Sequence, residues 1–304
     1  MKDLLSLLEL DPAELKAILD AADTLKHTRL WHGTAKPLAE KSVALIFSKS
    51  STRTRVSFEV GIYELGGNPM YFDKNALQLG RGEPIGDTAR VLSRYVHGIV
   101  IRYHEHADVL RLAAAATVPV INALTDQFHP CQILADLQTI REVFGRLDGV
   151  KVAFVGDGAC NTAVTWGLGA ILGGLELRIA APKGYHPDLQ VIGQAKGPGR
   201  VLVTEDLAAA VAGADVIYTD VWVSMGFEAE SEVRLRQLAP YQVNAALLAK
   251  AAPHAKVMHC LPAHRGEEIT GDVLDGPQSI VWDQAENRLH AQKAVLARLL
   301  GTEP

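Results

Sequence analysis

Short apolar runs alternate with longer amphipathic stretches along almost the whole chain. About ten of these runs predict β-strands: Ser42–Phe47, Pro69–Phe72, Gly98–Arg102, Val118–Leu124, Lys151–Val155, Leu175–Ala180, Arg200–Val203, Ala214–Thr219, Lys256–Cys260 and Ser279–Trp282. Continuous apolar strands that alternate with helices are typical of parallel sheets covered on both faces. Because ten strands exceed one ordinary compact sheet, the pattern predicts an α/β fold with two doubly wound parallel-sheet domains.

Three helices frame this arrangement. Asp11 followed by Pro12 and Glu14 predicts the start of the first helix, with a capping acceptor, proline at the first helical position and glutamate three residues on. The pattern from His129 to about Phe144 predicts a long linking helix within residues 129–149, and the pattern from Ala285 to Leu300 predicts a terminal helix. We therefore expect one domain at 1–134, joined by the terminal helix at 285–304, a second at 150–284, and the site in the cleft between them.

Composition narrows the class of protein. Of the 304 residues, 48% are apolar and 21% are charged, and the formal net charge is −5. These values exclude a disordered chain and argue against general nucleic-acid binding. Three widely spaced cysteines argue against a disulfide framework and indicate a reducing compartment. With no signal-peptide pattern and no apolar run near 20 residues, we expect a cytoplasmic protein that has no membrane segment.

The segment Ser51-Thr52-Arg53-Thr54-Arg55 follows the first predicted strand and opens a helix whose inner face would be Phe58, Ile62 and Leu65. Helix N-termini normally favour acidic side chains, because the helix dipole is positive there. Arginines and hydroxyls in this position indicate an anion site, held by free N–H groups and a guanidinium. A serine cap followed by solvated arginines is the alternative.

A second cluster begins at His129, where Gln132 lies three residues later and therefore on the same helix face. A histidine offers a donor for a carbonyl oxygen, and the glutamine oxygen can accept from an NH2 group. Arg102 ends a predicted strand, and ligands of α/β sheets gather at strand ends. A structural or capping histidine and a surface ion pair of Arg102 are the alternatives.

The second half opens with a glycine-rich turn at 155–161 that invites a dinucleotide-binding interpretation. Asn161 replaces its third glycine, and the next strand ends without an acidic residue, so a nicotinamide site is disfavoured. Asp220 follows another strand and could bind an ammonium group with support from Ser224, although a turn or cap role is equally compatible.

The segment 258–266 ends a buried strand and contains Cys260, which by itself would more often be a small core residue than a nucleophile. His259 and His264 lack the ligand spacing of a zinc helix, so no metal is predicted. Arg288 places a second cation in the first turn of a helix, and with Arg102 and the cations at 51–55 it would suit a dianion.

Together these motifs resemble the aspartate/ornithine carbamoyltransferase family over residues 47–300, nearly the whole chain. The S-T-R-T-R segment at 51–55 and H-P-x-Q at 129–132 are shared by both branches of the family. The segments D-V-W-V-S-M-G at 220–226 and H-C-L-P at 259–262, and Gln78, resemble the ornithine branch. The resemblance implies transfer of a carbamoyl group from carbamoyl phosphate to the δ-amine of L-ornithine in arginine biosynthesis, with no cofactor and no metal.

The resemblance also implies roles for individual residues. Arg102, His129 and Cys260 would be catalytic. The implied ligands of carbamoyl phosphate are Ser51, Thr52, Arg53, Thr54, Arg102, His129, Gln132, Cys260, Leu261, Arg288 and, from a neighbouring subunit, Gln78. The implied ligands of ornithine are Asn161, Asp220, Ser224 and Met225. A homotrimer or a trimer of trimers with shared active sites follows from the same resemblance.

Two positions depart from the family pattern: Cys160 replaces the first asparagine of an Asn-Asn pair, and Val164 replaces a frequent histidine. Acceptors such as putrescine or N-acetylornithine therefore stay open beside ornithine. A non-catalytic, phosphate-binding regulatory protein on the same fold is the alternative from another class.

Overall fold

The structure is a computed structural model that describes residues 1–29, 35–49, 51–73, 82–223 and 228–301. Within these ranges the chain divides into two compact units, residues 1–138 with 286–301 and residues 139–285. The strands are β1 (Ser42–Phe47), β2 (Asn68–Asp73), β3 (Gly98–Arg102), β4 (Val120–Leu124), β5 (Lys151–Val155), β6 (Glu176–Ala180), β7 (Arg200–Thr204), β8 (Val216–Thr219) and β9 (Lys256–His259).

The helices that alternate with these strands are α1 (Pro12–Arg29), α2 (Thr52–Glu64), α3 (Ile85–Leu92), α4 (His106–Ala115), α5 (Pro130–Phe144), α6 (Asn161–Gly173), α7 (Leu189–Ile192), α8 (Leu207–Val211), α9 (Ser231–Leu238), α10 (Ala245–Leu248), α11 (Gly271–Leu274) and α12 (Val281–Leu300). Two 3₁₀ turns lie at Glu228–Glu230 and Ala239–Tyr241. No helix among the described residues combines the length and the apolar character that crossing a bilayer requires.

Both sheets are parallel throughout, which confirms the predicted α/β class. The first unit contains the order β2-β1-β3-β4, and the second contains β7-β6-β5-β8-β9. Each sheet buries a continuous apolar core, which includes Ile46, Ile99 and Ile101 in the first unit and Val155, Ile217 and Val257 in the second.

Strand order determines where each unit can bind a ligand. In the first sheet the order reverses between β1 and β3, and in the second between β5 and β8. Loops that leave the carboxyl ends of two such strands diverge and open a crevice at this switch point. The segment after β1 and the end of β3 therefore meet in the first unit, as do the segments after β5 and β8 in the second.

Local helix signals in the first unit behave as predicted. Asp11 Oδ1 accepts the N–H of Glu14 at 2.8 Å, and Glu14 Oε2 accepts the N–H of Asp11 at 3.2 Å, which completes a capping box. The predicted inner face of α2 is confirmed, since Phe58, Ile62 and Leu65 are fully buried.

The prediction of a strand at Ser279–Trp282 is wrong. Only an isolated bridge joins Ser279 to Val257, and α12 already begins at Val281. The N–H of Gln284 bonds to the carbonyl of Ile280, so the apolar pair Ile280 and Val281 belongs to a helical first turn. A short buried apolar run has the same composition in a strand and in a helix, which is why the pattern alone could not separate them.

The predicted long helices are present. Helix α5 spans most of 129–149 and ends at Phe144, directly before Gly145, whose φ of 70° lies in the left-handed region. Helix α12 begins four residues before the predicted Ala285. The boundaries between the two compact units fall inside these two helices. The assignment of a substrate to each half, and the cleft as the location of the site, stay predictions.

Candidate active site

The N-terminus of α2 carries a cation, Arg53, that no residue described by the structure neutralises. Ser51 caps the helix by accepting the N–H of Thr54 at 3.4 Å, and the first turn contains no acidic residue. Arg55 places its guanidinium 3.6 Å from the centre of the Tyr71 ring. Arg53 has no hydrogen-bond or ion-pair partner within the described ranges. The helix start therefore presents a positive charge and hydroxyl groups to an anion.

His129 stands at the start of α5 with only 4% of its surface exposed, and its carbonyl accepts the N–H of Gln132 at 3.1 Å. Burial, followed by the positive charges of Arg288, Arg102 and Arg53, lowers the pKa of His129 well below its ordinary value of 6.5. The imidazole is therefore neutral at pH 7 and keeps one N–H donor. The same three guanidinium groups supply the positive charge around it.

This low pKa predicts a titration experiment. In protein labelled with ¹³C-histidine, the His129 resonance, assigned by its loss in His129→Gln, should stay in the neutral position from pH 8 to pH 5.5. Histidines of the urea-unfolded chain should titrate near about 6.5. Below a pH of about 6.5, His129 binds a proton in the unfolded chain but not in the folded one. The contribution of His129 to the free energy of unfolding therefore falls as the pH drops below about 6.5. Titration of folded His129 near 6.5 would contradict the cationic environment.

Arg288 joins two other predicted ligands of the first unit. It is 3% exposed; its Nη2 donates to Thr54 Oγ1 at 3.1 Å and its Nη1 to Gln132 Oε1 at 2.6 Å. The oxygen of Gln132, which was predicted to face an NH2 group, thus already accepts one hydrogen bond. A carbonyl oxygen has a second lone pair that can still accept from a ligand.

Arg102 completes this group of cations from the end of β3. It is 8% exposed and is paired in register with Phe47, the last residue of β1. The N–H of Ser48 donates to its carbonyl at 3.0 Å. The segment that leads to Arg53 therefore starts beside Arg102 at the switch point of the first sheet.

In the second unit, Asp220 and Cys260 follow two adjacent strands and contact each other. Thr219 of β8 pairs with His259 of β9, so the next residue of each strand lies at the same edge. The Cys260 thiol donates to Asp220 Oδ1 at 2.8 Å, and so does the N–H of Val221 at 2.8 Å. Asp220 is 7% exposed and forms no ion pair with any residue that the structure describes. It is a buried anion directed by two donors.

From the sequence, His259 was considered only as a metal ligand, and Glu268 was not identified as its partner. The N–H of Leu261 donates to His259 Nδ1 at 2.8 Å, so the ring proton is on Nε2, which faces Glu268 Oε1 at 2.9 Å. Both side chains are fully buried. Leu261 has a φ of 56°, unusual for a residue other than glycine. The pair therefore supports the strained turn that directly follows Cys260.

Arg234 was also missed, because nothing in the charged sequence of α9 marks it. Its Nη1 donates to Asp157 Oδ2 at 2.8 Å and to the carbonyl of Trp222 at 3.3 Å. Burial raises the pKa of Asp157, and the charge of Arg234 opposes that rise. Asp157 lies in the turn after β5 and Trp222 in the segment after β8, so one guanidinium connects the two loops at the switch point of the second sheet.

Asn161 is the first residue of α6 and is half-buried. Cys160 caps this helix, with its Sγ accepting the N–H of Ala163 at 3.4 Å, and burial raises the pKa of its thiol well above the usual value. Asparagine is among the preferred capping residues. The departure to Cys160 therefore replaces one cap with another and leaves Asn161 at the start of the helix.

Two groups of possible metal ligands occur in the described ranges. The first, Asp220 with His259 and Cys260, uses its donor atoms in the hydrogen bonds given above. The second, His264 with Glu267 and Glu268, includes the carboxylate that faces His259. The donor atoms of the first group and Glu268 of the second thus take part in hydrogen bonds within the protein. Gln78, Ser224 and Met225 lie outside the described residues, and their assignments stay predictions.

Comparison with known proteins identifies the two halves separately. Residues 2–142 match the family described as aspartate/ornithine carbamoyltransferase, carbamoyl-P binding domain. Residues 148–299 match the aspartate/ornithine carbamoyltransferase, Asp/Orn binding domain. The two matches together cover almost the whole chain.

Whole proteins and solved structures agree with these matches. The ornithine carbamoyltransferase of Methanoculleus marisnigri is 52% identical over 98% of this chain and 97% of its own length, and that of Parafrankia is 56% identical over 96% and 94%. The structure of ornithine carbamoyltransferase from Pyrococcus furiosus superposes with a TM-score of 0.94 at 51% identity, covering 100% of this chain and 98% of its own. The chain belongs to the aspartate/ornithine carbamoyltransferase family.

Proposed function

We propose that this protein transfers the carbamoyl group of carbamoyl phosphate to the δ-amine of L-ornithine, giving L-citrulline and phosphate. One observation carries the proposal: each unit contains a site charge that no described residue neutralises. Arg53 in the first unit has no acidic partner, and buried Asp220 in the second has no basic one. A phosphate dianion and an α-ammonium group are the complements of these two charges.

Residues of the first unit bind the carbamoyl donor. Arg53 and the N–H groups of α2 hold the phosphate. Arg102 and neutral His129 donate to the carbonyl oxygen, on which negative charge develops when the amine attacks the carbamoyl carbon. Fixed donors aimed at developing charge are usually the largest catalytic contribution. The further phosphate ligands are Ser51, Thr52, Thr54, Arg288 and, from a neighbouring subunit, Gln78.

Residues of the second unit bind the acceptor. Asp220 orients the α-ammonium of ornithine, while Cys260 and the carbonyl of Leu261 lie beside the attacking δ-amine. This amine must be neutral to react, and its free pKa is close to the value of about 10.4 for lysine. At pH 7 only a small fraction of the free amine is therefore in the form that can attack. Asn161, Ser224 and Met225 complete the ornithine ligands.

The acceptor distinguishes the alternatives. N-acetylornithine has no α-ammonium for Asp220, and putrescine has no α-carboxylate. The test is formation of a ureido product from carbamoyl phosphate with ornithine, putrescine, N-acetylornithine or aspartate as acceptor. We expect L-citrulline from ornithine at the highest kcat/KM. Preference for another acceptor would overturn the substrate assignment, and no product from any of them would favour a regulatory phosphate-binding protein.

We further propose a cytoplasmic homotrimer, alone or as a trimer of trimers, whose active sites are shared between subunits. The free thiols of Cys131, Cys160 and Cys260 suit a reducing compartment. In a cyclic trimer with head-to-tail contacts, Gln78 of one subunit would serve the phosphate site of the next.

Complementation tests the shared site. Arg53→Ala and Gln78→Ala each damage every site of their own oligomer. A mixed trimer contains one junction at which intact Arg53 meets intact Gln78, so about one site in three regains both. Citrulline formation after co-refolding should therefore exceed that of either variant refolded alone. If both variants are impaired and verified mixed oligomers show no gain, Gln78 does not act in the neighbouring site.

A further inference from the structure

Gln132 lies between two side chains of opposite hydrogen-bonding character. Its Nε2 donates to Asp136 Oδ1 at 2.8 Å, and its Oε1 accepts from Arg288 Nη1 at 2.6 Å. The three side chains are at most 3% exposed. A carboxylate only accepts and a guanidinium only donates. In the observed orientation the Gln132 amide donates to Asp136 and accepts from Arg288. The flipped amide would place its NH2 against the N–H of Arg288 and its oxygen against the carboxylate of Asp136.

The hydrogen-bond direction continues from Arg288 to Thr54. Arg288 Nη2 donates to Thr54 Oγ1 at 3.1 Å, so the threonine oxygen is an acceptor in this contact. The hydroxyl proton of Thr54 can then donate to another group. Asp136, Gln132, Arg288 and Thr54 thus form a directed chain of hydrogen bonds, here called the relay, with an acceptor-only residue at its start.

Helical geometry explains why Asp136 can direct Gln132. The two residues are four positions apart on α5, so their side chains lie on the same face one turn apart. Asp136 is fully buried, and a buried carboxylate is costly unless it is hydrogen-bonded. An aspartate inside a helix and away from its N-cap is also an unfavourable choice by propensity alone. Its position one turn beyond Gln132 therefore calls for a role beyond packing.

We propose that Asp136 is a positioning residue that fixes the amide orientation of Gln132 and, through the relay, the donor and acceptor pattern shown to the carbamoyl group. The second lone pair of Gln132 Oε1 accepts from the carbamoyl NH2, and the Thr54 hydroxyl donates to an oxygen of the same ligand. The inference rests on the proposed function for the identity of that ligand. In this role Asp136 acts through Gln132.

A reciprocal exchange tests this role. Asp136→Asn replaces the acceptor-only partner with an amide that can turn its own NH2 toward Gln132, so Arg288 alone still holds the orientation of the Gln132 amide and kcat/KM for carbamoyl phosphate should fall at least about tenfold. Gln132→Glu places two carboxylates against each other at the 2.8 Å contact, so kcat/KM for carbamoyl phosphate should fall by a similar factor. In the double variant, the new amide at 136 donates to the new carboxylate at 132, which still accepts from Arg288 and from the ligand. Activity should recover at least about fivefold over the weaker single variant.

Binding of inorganic phosphate separates positioning from damage to the fold. Phosphate lacks the carbamoyl group that Gln132 would contact, so in both single variants its Kd by calorimetry should rise by a clearly smaller factor than the Kd of carbamoyl phosphate. Asp20→Asn is the matched control, because Asp20 is exposed on α1 and pairs at the surface with Lys16 at 2.6 Å. It should bind both ligands like the wild type.

A second pair of variants keeps the proposal falsifiable if the exchange destabilises the protein. In Gln132→Met, which has no amide to orient, adding Asp136→Asn should change kcat/KM by less than about twofold. A multiplicative loss there, an exchange without recovery, or equal weakening of phosphate and carbamoyl phosphate would each overturn the relay. Absence of citrulline from the wild type would instead overturn the proposed function, and the two binding measurements would still test the relay.

Discussion

Replacing Arg53 with alanine is expected to weaken carbamoyl phosphate binding and to lower kcat/KM by about 10- to 150-fold. The reason is that Arg53 has no hydrogen-bond or ion-pair partner among the residues that the structure describes, so its guanidinium can donate to the ligand. A hydrogen bond to a charged group contributes about 1.5–3 kcal/mol, and each 1.4 kcal/mol is about tenfold. Calorimetry with carbamoyl phosphate and a citrulline assay measure the two effects.

The matched control is Arg298→Ala. Arg298 is exposed on α12 and approaches Glu14 at 3.7 Å, a surface pair of the kind that contributes little. It should bind carbamoyl phosphate and form citrulline within about twofold of the wild type. If Arg53→Ala also bound carbamoyl phosphate and formed citrulline within about twofold of the wild type, the acid-free start of α2 would not be the phosphate site.

Arg53 and Arg55 show how much of the phosphate site at this helix could be predicted from the sequence. Two arginines in a first turn contradict the preference of a helix N-terminus for acids, which alone marked the segment as an anion site. The pattern could not say which arginine is available. The structure separates them, because Arg55 lies on the Tyr71 ring and Arg53 has no described partner.

Residues at strand ends were predictable, whereas their supporting residues were not. Asp220 and Arg102 follow apolar runs, and a parallel sheet collects such positions at one edge. Asp136, Arg234 and Glu268 lie inside helices or loops of ordinary composition, and their significance comes from a partner that only the folded chain brings near. Arg234 and Asp157 are 77 positions apart. No local sequence pattern indicates a contact between residues so far apart in the chain, so the tertiary structure was needed to find the pair.

Each unit contains one charge, Arg53 in the first and Asp220 in the second, that has no counter-charge among the described residues. A buried carboxylate without a cation is costly in a protein that has no ligand. The cost is reasonable only if a cationic ligand offsets it, and Asp220 fits that description in the second unit as Arg53 fits the converse in the first. Under the proposed function, each substrate supplies a counter-charge that the described residues do not.

Asp220→Asn is therefore expected to raise the KM for ornithine by about 10- to 150-fold while the Kd of carbamoyl phosphate stays within about twofold. The asparagine oxygen can still accept from the Cys260 thiol and from the N–H of Val221, so the turn keeps both hydrogen bonds. What the substitution removes is the negative charge. Steady-state kinetics with ornithine at saturating carbamoyl phosphate measure the change.

Asp206→Asn is the control for the same chemical change in the same unit, because Asp206 is exposed and caps α8 through the N–H of Ala209 at 3.0 Å. Asparagine caps a helix as well as aspartate does, so ornithine kinetics should not change.

A second measurement identifies which end of ornithine Asp220 contacts. N-acetylornithine has no α-ammonium, so Asp220→Asn should reduce the preference for ornithine over N-acetylornithine by about the same factor as it raises the KM. An equal loss for both acceptors would place Asp220 beside the reacting δ-amine instead, because that amine is the group the two acceptors share.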